Sequence, residues 1–367
     1  MKAAICYEVG KPLSVEEVTL DAPGKGEVKI RVGAVAVCHS DLHAIKGELP
    51  GKLPGIPGHE VAGYVEEIGE GVTLVAPGDY IVAAAVNAGC GHCYHCNIGL
   101  RHMCTGVDLR AMMAKGGHHL NKKGVRLSPM AGPVGGFAEY TVVSQYQLAK
   151  IPEDLPMDRA CLLACGVMTG MGAVLNRAQV KPLSSVIVVG AGGVGMNAIQ
   201  GAVHAGAYPI IAVDIRDDKL EMAKKFGATH GVNTATEKDP AEAVRQLTAG
   251  RGADYGFLTV GSMDALRLGF NMLARRGMMV IIGIARGDMA SFHAGEFIGS
   301  EKILTGSMMG STRLDIDVAR YAELYKAGQL KLDELIAGHY PLEKINEAIA
   351  STESGGVLRN IITFKEK

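Results

Sequence analysis

The sequence predicts an α/β protein of two units, one β-rich and one built as a doubly wound parallel sheet with helices on both faces. Three observations carry this reading. The chain has 367 residues, and at about 100–200 residues per domain two domains are expected. The N-terminal part holds short β-branched segments bounded by Gly and Pro: KAAICYEV, VKIRVGAVAV, HEVAGYVEEIG and GDYIVAAAV. From about residue 167 the texture changes to strands alternating with helices, which implies a parallel sheet.

Taken in order, SSVIVVGAGGVG is an apolar strand and a Gly turn, followed by a helix, the strand PIIAVD and a second helix. ADYGFLTVGS reads as the next strand, DALRLGFNMLARRG as a helix, and MMVIIGIA and KILTGS as further strands. VARYAELYKAGQL and LEKINEAIAST are amphipathic helices, and VLRNIITF closes as a strand. The tail is expected to rejoin the N-terminal unit. The expected domains are 1–166 together with 311–367, and 167–310.

Hydrophobic content of 48% supports an ordinary core, and a net charge of −1 gives no reason to expect a nucleic-acid or membrane partner. The first residues lack the apolar run and small-residue cleavage site of a secretory signal. No apolar run approaches the roughly 18–20 residues of a membrane span. A cytoplasmic location is expected, and there closely spaced cysteines read as metal ligands.

Such a cluster is CGHCYHCNIGLRHMC, with Cys90, Cys93, Cys96 and Cys104 in C-x2-C-x2-C-x7-C spacing. Four thiolates close a tetrahedron around zinc and leave no position for substrate, so this zinc is expected to be structural. His92, His95 and His102 lie in the same stretch and read as bystanders. A single set with no Pro after its last cysteine favours zinc over an iron–sulfur cluster. Elsewhere Cys38 sits in VCHSDLH, His59 in PGHE and Cys165 in LLACGVMTG. Spacing does not single these out. Their combination, two thiolates and an imidazole, is that of an open catalytic zinc site.

VIVVGAGGVG places Gly190, Gly192 and Gly195 in G-x-G-x-x-G, with Gly193 and Val194 between, after a strand and before a helix. Asp214 ends the next strand. Glycines let the backbone approach a pyrophosphate at a helix N-terminus, and the acid accepts from the adenosine ribose while repelling a 2′-phosphate. NAD is therefore expected over NADP. Arg216 tempers this preference, since a guanidinium there could partly accommodate the phosphate. Lys219 joins the same cofactor-binding set.

The chain resembles the zinc-dependent medium-chain alcohol dehydrogenases over nearly its whole length. GHE followed by V-A-G-x-V, the G-x-G-V-x-x-x-x-P-G-D run at 69–79, the four-cysteine lobe, C-G-x-x-T-G and the Gly fingerprint occur in the family's order. The resemblance implies a GroES-like catalytic domain beside a Rossmann domain. It implies two zinc ions per chain, one held by Cys38, His59 and Cys165, the other by the lobe. By the same resemblance Glu60 approaches the catalytic metal, Asp41 orients the ligating histidine, Ser40 accepts the substrate proton and His43 passes it on. His39 and Arg359 resemble residues near the pyrophosphate, and Thr169 the threonine beside the nicotinamide. Leu49 and Val86 fall where relatives have pocket walls.

The long run after Cys104 resembles the dimeric branch, so a homo-oligomer is implied, a dimer ahead of a tetramer. Asp108 stands where the glutathione-dependent formaldehyde branch has an arginine, and Arg110 is displaced from it, which argues against that substrate. Hydride transfer between a primary or secondary alcohol and NAD is the expected reaction. The competing readings are zinc-containing reduction of a conjugated C=C bond with NAD(P)H and a non-catalytic NAD-binding protein. Ser40, His43 and the three metal-ligand candidates favour the alcohol chemistry.

Overall fold

The computed structural model describes residues 1–49, 51–86, 88–107, 119–284 and 290–365. Asp108 and Arg110 lie outside the described residues. The chain divides into two compact units, Met1–Cys165 with Arg313–Lys367, and Gly166–Thr312.

The first unit is built on a seven-stranded sheet. Its order is Leu148–Lys150, Tyr80–Ala83, Glu60–Ile68, Glu27–Val37, Arg359–Thr363 and Ile336–Pro341, with Tyr140–Ser144 also paired to Glu27–Val37. The strand Glu27–Val37 alternates half-buried and buried side chains along its first half, as a one-face-buried strand must, and then becomes wholly buried. Val28, Ile30 and Val32 enter a core shared with Ile5, Ile56, Phe137 and Ile362. The C-terminal strand pairs antiparallel with Glu27–Val37, Asn360 opposite Val37. On the other side Ala36 lies opposite Glu60. This register brings the residues just outside three neighbouring strands, at Cys38, His59 and Leu358, to one end of the sheet.

The second unit is a six-stranded sheet, parallel throughout. Its order is His230–Asn233, Ile210–Asp214, Val186–Val189, Ala253–Leu258, Leu273–Ile281 and Ile303–Gly306. The chain starts in the middle, runs to one edge, then returns and runs to the other. Dinucleotides bind at the reversal point of such a sheet. Val186–Val189 is buried on both faces, which explains its unbroken apolar run. One element departs from the sequence expectation. The helix of DALRLGFNMLARRG ends at Asn271, and Leu273–Ile281 is strand. Pairing with Ala253–Leu258 buries Leu273 and Ala274 in the sheet and overrides the helical preference of LARR. Among the described residues no single helix is long and apolar enough to cross a membrane.

Candidate functional site

Cys38 leaves the sheet and caps the helix His39–Ile45. The Cys38 backbone N–H donates to Asp41 Oδ2 at 3.1 Å. Asp41 is fully buried, and its Oδ1 also accepts from the Gly58 N–H at 2.9 Å and faces His59 Nδ1 at 2.9 Å. A carboxylate only accepts, so it fixes the imidazole proton on Nδ1 and leaves Nε2 as the donor to a metal. Cys165 follows the short helical segment Cys161–Ala164. One ligand atom from each of Cys38, His59, Glu60 and Cys165 lies within 4.8 Å of all the others, and all four residues are buried. A zinc tetrahedron with Zn–S near 2.3 Å has edges of about 3.8 Å, so one ion can serve this set.

The electrostatics point the same way. The Cys38 thiol is held well below its ordinary range, first by a hydrogen bond from Cys165, then by Arg359 and His59. Cys165 is pushed well above by that same bond and by burial. Burial would depress His59, but the Asp41 carboxylate and Cys38 outweigh it and raise it. A buried thiolate and an imidazole drawn toward the charged state form an environment that a dication would relieve.

Beside this centre, burial pushes Glu60 up to about 8 against the pull of Arg359. Arg359 forks onto it, Nε to Oε2 and Nη2 to Oε1, each at 3.2 Å. Arg359 Nη1 donates to the Leu358 carbonyl at 2.9 Å, and Nη2 lies 4.0 Å from Cys38 Sγ. The family resemblance placed this arginine with the phosphates. In the structure it is buried and its donors face Glu60, a backbone carbonyl and a candidate ligand. On the helix from Cys38, His39 is exposed and Ser40 half-buried. His43 pairs through Nδ1 with Glu48, a partner that sequence reasoning missed. Leu49 packs half-buried against the unit's core, and Val86 is buried.

The four lobe cysteines also converge, every ligand atom within 4.8 Å of the rest. Cys90 Sγ lies 4.0 Å from Cys96 Sγ, and Cys93 Sγ 3.9 Å from Cys104 Sγ. These separations suit the edges of a thiolate tetrahedron and are far beyond the roughly 2.05 Å of a disulfide.

In the second unit Gly190 links Val186–Val189 to the helix Gly193–His204. Its φ is +97° and its N–H donates to Val213 O at 2.8 Å. A side chain on Gly195 would meet the Gly190 carbonyl at 1.9 Å, so helix and turn approach as only glycine allows. At Gly192, the N-cap, nothing lies within 4 Å of where a side chain would start. That open space is where an anion can meet the helix N-terminus, with Gly193 and half-buried Val194 in its first turn.

Asp214 Oδ2 accepts the Ala191 N–H at 2.7 Å, and Oδ1 accepts those of Ile215 and Arg216 at 2.8 and 3.1 Å. Lys219 is buried, which lowers its pKa. Thr169 is buried on the helix Gly166–Gly172, its hydroxyl 3.9 Å from Met309 Sδ. Arg216 is bound by Asp218, a second partner that sequence reasoning missed. The only sequence signal for it was the acid two places along in DIRDDK.

Comparison with known proteins extends over both units. Residues 24–153 match the family described as Alcohol dehydrogenase GroES-like domain, and residues 193–326 the family described as Zinc-binding dehydrogenase. The NDMA-dependent alcohol dehydrogenase of Amycolatopsis methanolica is 37% identical, with 98% of each chain covered. The solved alcohol dehydrogenase zinc-binding domain protein of Burkholderia ambifaria superposes with a TM-score of 0.92 at 33% identity, covering 100% of this chain and 99% of its own. Benzyl alcohol dehydrogenase of Acinetobacter calcoaceticus gives a TM-score of 0.90 at 30% identity, covering 99% of each chain.

Proposed function

Since the chain belongs to the zinc-dependent medium-chain alcohol dehydrogenases and is a zinc-type alcohol oxidoreductase, we propose that it transfers a hydride reversibly between a primary or secondary alcohol and NAD, giving an aldehyde or ketone. The single observation that carries this reading is the buried convergence of Cys38, His59 and Cys165, with Asp41 presenting His59 Nε2 to a metal. With both Glu60 oxygens turned to Arg359, three protein donors leave one position for substrate. Zinc held there supplies Lewis-acid chemistry that lowers the pKa of a hydroxyl, and NAD supplies the hydride acceptor.

The chain's own residues do the rest. Asp41 fixes the imidazole, and Arg359 holds Glu60 and lends its positive charge to Cys38. Ser40 and His43 stand three apart on one helix and so share a face. Ser40 takes the substrate proton and His43 carries it onward. Glu48 keeps the His43 proton on Nδ1, so Nε2 is the basic nitrogen. Asp214 receives the adenosine ribose, and the open backbone at Gly192 admits the pyrophosphate. The second zinc belongs to the lobe, where it holds the fold.

A panel of alcohols and aldehydes with NAD(H), run alongside zinc analysis, tests this. The expected result is turnover with added NAD and two zinc ions per chain. Absence of turnover with every substrate, with zinc confined to the lobe, overturns it. The name of the Amycolatopsis relative supports a second reading of the electron acceptor. If NDMA sustains turnover where added NAD does not, the alcohol chemistry stands and the free-NAD part falls. The assembly we expect is a homodimer acting on small alcohols, without nucleic-acid or membrane partners, and light scattering of the purified enzyme checks its stoichiometry.

A further inference from the structure

We infer that Asp218 is a specificity-determining residue: by holding Arg216, it turns the second unit's adenosine-ribose corner against a 2′-phosphate. The inference rests on the reading of that corner as a nicotinamide-dinucleotide site. Arg216 alone would weaken selectivity, since a guanidinium is the group best matched to a phosphate. In the structure its fork is taken. Nε donates to Asp218 Oδ1 at 2.9 Å and Nη2 to Asp218 Oδ2 at 2.8 Å. This is a bidentate carboxylate pair, the geometry a phosphate would otherwise use.

Two backbone donors of this corner are engaged as well. The N–H groups of Ile215 and Arg216 both point at Asp214 Oδ1. Asp217, next along, is turned to Asn233, whose Nδ2 donates to its Oδ1 at 2.7 Å. An incoming phosphate dianion would meet the carboxylates of Asp214, Asp217 and Asp218 against Arg216 and the buried Lys219. To use this edge of Arg216 it must first break the pair with Asp218. The pair is exposed, with side chains 44% and 56% accessible, so it acts by occupying the guanidinium and by its charge rather than by stabilising the fold. Asp214 thus excludes the phosphate directly and Asp218 removes the residue that would have welcomed it.

The test is equilibrium binding of NADH and NADPH to the zinc-loaded protein, read by nicotinamide fluorescence. It compares wild type, Asp218→Asn, Asp218→Ala, Arg216→Ala and the double variant Arg216→Ala/Asp218→Ala. Wild type should prefer NADH. Either Asp218 variant should lower the NADH-to-NADPH affinity ratio by about five- to tenfold, mostly through tighter NADPH binding. The double variant should lose that gain, because the freed guanidinium is its source. The gain should shrink in high salt. An unchanged ratio in both Asp218 variants, with wild type still preferring NADH, overturns the role of Asp218 and leaves the NAD reading intact. A gain that survives in the double variant overturns the role of Arg216. Failure of wild type to bind either nucleotide, or a wild-type preference for NADPH, overturns the dinucleotide reading and this inference with it.

Discussion

The two cysteine-containing centres of the first unit are built in opposite ways. The lobe draws four sulfurs from one stretch of fifteen residues, three of them only half-buried. The other centre draws Cys38, His59 and Cys165 from three distant segments, buries each, and surrounds them with Asp41, Glu60 and Arg359. A local, all-thiolate cage needs little from the rest of the fold and gives little back beyond stability. An assembled centre with mixed ligands needs a sheet to position it and a hydrogen-bonded surround to orient it. That surround is what a site spends on keeping a position for substrate.

The sharpest way to break this contrast is to remove a ligand from each. His59→Ala should lower turnover by about a thousandfold or more, since several kcal/mol of transition-state stabilisation depend on the metal. Its thermal midpoint should move far less than its rate. A variant retaining near-wild-type kcat would end the catalytic assignment. Cys96→Ser should do the reverse, losing one zinc per chain and roughly 5–10 °C of melting temperature because metal binding there is coupled to folding. Scanning calorimetry with metal analysis decides it, and an unmoved transition would contradict the structural role.

A smaller effect sharpens the comparison. Asp41→Asn keeps the shape but replaces a carboxylate by an amide at His59 Nδ1. Zinc affinity of the buried centre should fall about 10- to 100-fold, with the lobe untouched. Competition with a chelator reads both sites at once, and equal loss from both would show that the two are not independent.

The smallest effect concerns His119, whose Nε2 lies 2.7 Å from Glu27 Oε2. The hydrogen bond it donates to Glu27 raises its pKa against partial burial. A raised folded pKa means that the pair's contribution is complete below the unfolded value of about 6.5 and is lost as pH rises through the folded value. His119→Gln should therefore cost on the order of 1 kcal/mol in mild acid and progressively less toward higher pH. Urea melts of both proteins across that range measure it. A difference that grows with pH would have the wrong sign.

The legible parts of this molecule share one property: their signal is local. The lobe is written as a spacing, and the Gly fingerprint as a strand, a turn and a helix within one short run. Asp214 follows because the next strand must end beside that turn. Arg359 and Glu60 show the limit, being 299 positions apart and joined only because their strands flank Glu27–Val37. The same register carries His59 to Cys38. For His59 and Cys38 the family resemblance supplied what spacing could not, whereas it set Arg359 beside the phosphates and not beside Glu60. The stretch LARRG shows the other failure, a segment with helical preference drawn into a sheet by the strand beside it.

By itself the sequence determined the α/β class, the four-cysteine cluster and the Gly-rich turn between strand and helix, because contacts between near neighbours follow from residue type and periodicity. Only the tertiary structure decided which way His59 faces, that Arg359 turns to Glu60, and that Asp218 occupies Arg216. Those outcomes depend on which donors and acceptors remain unsatisfied once distant strands have paired and desolvated them, and that competition is settled in three dimensions.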